Sequence, residues 1–105
     1  MEKHMQLPEF RQVLEQALPT QIVDNVLMKA YAFQETKNNA RKERAQYGTV
    51  KLERNADAMW EAIVSNLLVS MQGKKDEAIL KQLDDSDFID TITDMLEEVE
   101  FNNES

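Results

Sequence analysis

Carboxylates are the residues of this chain best placed to do chemistry, and they crowd its end: Asp84, Asp85, Asp87, Asp90 and Asp94, then Glu97, Glu98 and Glu100. An EF-hand calcium loop needs oxygen ligands at alternating positions, glycine at the sixth and glutamate at the twelfth. Counted from Asp85, the fifth position is Ile89 and the sixth Asp90, so the motif fails. Asp90 with Asp94, or Glu97 with Glu100, have the spacing that puts two carboxylates on one side of a helix. A magnesium–pyrophosphate centre would need further carboxylates from a second helix, and the candidates there are Asp57 and Glu61, either side of Trp60. The plainer reading of the cluster is a solvated helix face with N-cap residues at its start.

Other chemistries have fewer residues to draw on. The chain has no cysteine and one histidine, His4, which excludes disulfides, thiolate nucleophiles and zinc sites that need sulfur. Ser65, Ser70, Thr91 and Thr93 have no histidine near them in sequence to act as a base. Gly48 and Gly73 stand apart, so there is no glycine-rich phosphate loop. The reading is of a protein that is not an enzyme and uses no cofactor or metal.

Charge is the more informative property. The net charge of −8 is unevenly placed: residues 1–83 hold eleven acids against all twelve bases, while residues 84–105 hold nine acids and no base. Within the first part, Lys37, Arg41, Lys42, Arg44, Lys51 and Arg54 face only Glu43 and Glu53. With Tyr47 among them, these bases form the candidate nucleic-acid surface, the cations for phosphates and the ring for stacking. Asp87, Asp90, Asp94, Glu97 and Glu98 form the candidate acidic docking face, whether for a basic partner or as a decoy for DNA phosphates. Opposite fields would draw the two segments together, in one molecule or between mates of a dimer.

These residues need helices to position them, and the pattern supplies helices. Two glycines and two prolines in 105 residues are too few for a β protein. Pro8 suits a helix start, after which Phe10, Val13, Leu14, Ala17 and Leu18 recur at helical spacing until Pro19. Pro19 opens a second helix expected to reach Ala45, with Ile22, Val23, Val26, Leu27, Ala30, Tyr31 and Phe33 as its apolar arc. Asn38 and Asn39, weak helix formers, leave an irregular loop over 35–48 as the other reading. Gly48 then reads as a helix stop and Thr49 as a new N-cap.

The third helix, to Gln72, carries the broadest apolar stripe: Ala56, Met59, Trp60, Ile63, Val64, Leu67, Leu68 and Met71. Gly73 closes it, beside Lys74 and Lys75. A short fourth helix holds Ala78, Ile79, Leu80 and Leu83. A fifth presents Phe88, Ile89, Ile92, Met95, Leu96 and Val99 opposite its acids.

The sequence therefore predicts an all-α, single-domain bundle of four to five helices around a long central antiparallel pair, over 1–101, with a flexible tail at 102–105. Wide apolar arcs on two helices predict partial homodimer formation. Met28 and Val69 fall outside their helices' stripes and are the candidate apolar partner surface. No apolar run approaches the ~20 residues that span a bilayer, and the expected location is the cytoplasm. The leading functional expectation is a protein-binding adaptor, inhibitor or assembly factor of the general kind found in bacteria and phages; nucleic-acid association through residues 37–54 is the second.

Overall fold

The computed structural model describes residues 5–71 and 74–101. His4, the helix stop proposed at Gly73 and the tail at 102–105 lie outside the described residues. Five α-helices follow one another, α1 (Leu7–Ala17), α2 (Thr20–Asn39), α3 (Thr49–Ser70), α4 (Asp76–Leu83) and α5 (Ser86–Glu97), and the described residues contain no strand. The protein is an all-α helical bundle. Its backbone is the antiparallel pair α2 and α3; α1 packs on α3, α5 packs on α2, and α4 bridges α1 and α5.

The core follows the stripes. Phe10, Leu14 and Leu18 meet Val23, Val26, Trp60 and Val64, with Ile79, Leu83, Ile92 and Leu96 closing the other side. Trp60 is fully buried at the centre. Leu52, one turn before Ala56, is also buried and extends the α3 stripe towards its N-terminus. Of the methionines, Met5 and Met71 are core residues, whereas Met28 is 68% exposed. Val69 is 54% exposed, so both residues set aside from the stripes face solvent. No helix among the described residues is long and apolar enough to cross a membrane.

The second helix is shorter than its periodicity suggests: it ends at Asn39, six residues before Ala45, and a single 3₁₀ turn over Glu43–Ala45 follows. Two causes act together. Beyond Asn38 there is no apolar neighbour to pack on, and every residue from Asn39 to Lys51 is exposed. Asn38 itself is buried and turned back on the loop. Its amide donates to the Tyr47 carbonyl at 3.0 Å and its oxygen accepts from the Tyr47 amide at 2.8 Å. One side chain thereby satisfies both main-chain groups of Tyr47, a pairing that a helix running on to Ala45 would forgo.

Gly48, expected as a stop, is the N-cap of α3, and Thr49 is that helix's first residue. The glycine has φ −77° and ψ 172°, ordinary extended backbone, so its position needs no left-handed conformation.

Candidate functional site: two oppositely charged surfaces

Asp57 and Glu61, the α3 carboxylates that a metal centre would need, belong to an ion-pair network. Arg11 of α1 reaches across to α3, its guanidinium bidentate on Asp57 at 2.5 and 3.1 Å and on Glu61 at 3.2 Å. Its Nε–H donates to Glu15 at 2.7 Å, and the same Glu15 oxygen accepts the Trp60 indole N–H at 2.7 Å. The buried indole thus has its hydrogen bond, and α1 is fastened to α3 through it. These carboxylates are already partnered, and among the described residues no group of three or more acidic or histidine side chains is placed to hold a metal ion.

Hydrogen bonding from Arg11, reinforced by its charge, holds the Asp57 carboxyl below its usual range against an opposing cost of burial. The pairing therefore stabilises the fold above the ordinary aspartate range and loses its effect as pH falls through and below about 4. Because the Asp57 side chain is 51% exposed, solvent screening holds the effect to about 0 to 1 kcal/mol. Melting wild type and Asp57→Asn from pH 6 downwards should show the wild type more stable at the start and the gap closing in acid. A gap independent of pH would contradict the pairing.

The acidic face is built on α5. Asp85 caps the helix by accepting from the Asp87 amide at 2.9 Å. Lys29 of α2 closes the other end, its Nζ donating to the Glu97 and Val99 carbonyls at 3.0 and 3.1 Å, positive charge at the negative end of the dipole. Ile92 and Leu96 anchor the inner side. With the helix fixed at both ends, Asp87, Asp90, Asp94, Glu97 and Glu98 all lie exposed, and none joins an ion pair among the described residues.

The basic surface is the projecting end of the α2–α3 hairpin. Lys37, Arg41, Lys42, Arg44, Lys51 and Arg54 are all exposed, and none pairs with a carboxylate. The Arg41 guanidinium lies 4.3 Å from the Tyr47 ring centroid, the Lys51 ammonium 5.7 Å from it, and Lys37 sits 5.4 Å from the ring of Phe33. Tyr47, the candidate stacking ring, is 39% exposed and has the Arg41 and Lys51 cations beside it. A cleft of about 160 Å³ opens here, lined by Gln34, Lys37, Asn38, Arg41, Tyr47 and Asn55.

Among the described residues no ion pair joins the two surfaces. The C-terminal end of α5 reaches the middle of α2, where Phe101 meets Phe33 with ring centroids 6.2 Å apart, but none of its acids pairs with a base of residues 37–54. The placement of α5 follows its apolar face, because exposed ion pairs contribute only about 0 to 1 kcal/mol each.

Arg11 and Glu15 were not singled out from the sequence, and Asn38 was marked only as a weak helix former. The i, i+4 spacing of Arg11 and Glu15 was a legible signal, and so was the need of a buried Trp60 for an acceptor. The role of Asn38 had no local signal beyond its poor fit to a helix interior. Comparison with protein-family models, with curated proteins and with solved structures finds no match to this chain.

Proposed function

We propose that this protein is a non-enzymatic interaction module that docks on a basic surface of another protein through the acidic face of α5. The observation that carries this reading is the set of five exposed carboxylates, Asp87, Asp90, Asp94, Glu97 and Glu98, without an ion pair among the described residues, on a helix whose ends and inner side are all fixed. Such a face is already ordered before binding, so little conformational freedom is lost on contact, and its field speeds encounter with a cationic partner. Met95, 42% exposed on the same helix, adds an adaptable apolar contact at the face's edge.

The test replaces Asp87, Asp90 and Asp94 with Asn and Glu97 and Glu98 with Gln, which keeps size and removes five charges. Wild type and variant are each used to capture proteins from native lysate at moderate salt. The expected result is a stoichiometric, salt-sensitive partner retained by the wild type and lost by the variant, with the helical spectra equal. Capture that is equal for both proteins, or absent for both, would overturn the reading.

A further inference from the structure

The hairpin end carries a more specific arrangement than a solvated basic patch. Arg41 is held in place: its guanidinium stacks on Tyr47 at 4.3 Å, and both main-chain groups of Tyr47 are bonded to the buried Asn38. Its donors have no protein acceptor among the described residues, and Lys37, whose ammonium lies 5.4 Å from the Phe33 ring and pairs with no carboxylate there, lines the same cleft. No carboxylate lines that cleft. The Gln34 amide is turned inwards, donating to the Met59 sulfur at 3.1 Å and accepting from Asn55 at 3.4 Å, so the wall is polar without being negative.

A planar guanidinium and an ammonium lining one small polar cleft, neither paired with a carboxylate among the described residues, make a donor set that a tetrahedral phosphate group satisfies. The cleft, about 160 Å³, has room for one such group. The ring of Tyr47 orients the Arg41 guanidinium that lies over it.

We propose that the cleft between Lys37, Arg41 and Tyr47 binds a single phosphate group, supplied by a nucleic-acid backbone or by a free phosphate. The site stands apart from the acidic face of α5 and does not depend on its function. Arg41 and Lys37 contact the phosphate; Tyr47 is a positioning residue, and Asn38 holds Tyr47 in turn.

The test uses two probes, inorganic phosphate and a labelled single-stranded oligothymidine, with NMR shifts read at residues 34–55 and affinity read by anisotropy at several salt concentrations. Shifts of Lys37, Arg41 and Tyr47 with both probes assign free phosphate as a sufficient ligand; shifts with oligothymidine alone assign the backbone. Arg41→Gln should weaken binding about tenfold and lower the salt slope by about one. Arg41→Lys keeps the charge and loses the planar stack, and Tyr47→Leu removes no charge at all, yet both should weaken binding, with Tyr47→Phe restoring it. Arg44→Gln, outside the cleft, should matter less. No shift with either probe, or equal losses for Arg41→Gln and Arg44→Gln with Arg41→Lys and Tyr47→Leu unaffected, would overturn the proposal, because a diffuse basic patch responds only to charge.

Discussion

Trp60→Ala should lower the stability of this protein by about 3 to 5 kcal/mol, the largest loss expected for a single substitution. The side chain is fully buried where α1 meets α3, so its removal leaves a large cavity among Phe10, Leu14 and Val64. It also strips Glu15 of one of its two donors. That second loss is small, because Glu15 is partly exposed and can rehydrate; the cavity dominates. Trp60→Phe separates the two, keeping most of the apolar volume while losing the indole N–H, and should cost clearly less. Chemical denaturation followed by helical signal measures both variants. The indole emission of the folded wild type should lie at short wavelength and shift to the red on unfolding. A nearly unchanged midpoint for Trp60→Ala, with emission typical of indole in water, would remove Trp60 from the core.

Asn38→Leu should be the most damaging change at the hairpin end. It removes two hydrogen bonds at once and leaves the Tyr47 amide and carbonyl without their protein partner. Unsatisfied groups that remain buried cost about 1 to 3 kcal/mol each, and loop groups that regain water cost less, so a total near 2 kcal/mol is expected. The pattern of the loss matters more than its size. Amide exchange should accelerate over residues 40–48 and stay slow in α1 and α5, because every residue from Asn39 to Lys51 is exposed and outside the core. Global destabilisation spread evenly over all five helices would contradict a local clamp. Asn38→Asp is a finer probe: the carboxylate can still accept from the Tyr47 amide but meets the Tyr47 carbonyl with no donor, so it should lose part of the same protection.

Periodicity located every helix because α1, α3 and α5 each bury one continuous stripe, and spacing alone identifies such a stripe. Phe10 with Leu14, Trp60 with Val64, and Ile92 with Leu96 sit one turn apart and inside, as their spacing demands. What spacing could not place was the end of α2. Lys37, Ala40, Arg41 and Arg44 continue the helical register, yet the helix stops at Asn39 because Asn38 pairs with a residue nine positions on. That contact exists only once the hairpin has folded, and no local pattern encodes it. Likewise, Asp57 and Glu61 looked available for a metal because their partner, Arg11, is distant in sequence and meets them only when α1 packs on α3. The charged segments were legible as charge; that one would be a fixed helical ridge and the other a cleft with a stacked guanidinium was a property of the packing.

We propose that one folded body keeps opposite charges apart so that each can meet an outside partner. A single isotope-labelled sample tests it most directly, titrated at low salt first with a lysine homopolymer and, in a separate series, with oligothymidine. The polycation should shift the amides of residues 85–98 and the oligonucleotide those of residues 34–55, with neither probe moving the resonances of the other surface. Shifts scattered over all five helices with both probes, or no response from either segment, would contradict it and leave the two charged surfaces as solvated faces of a bundle.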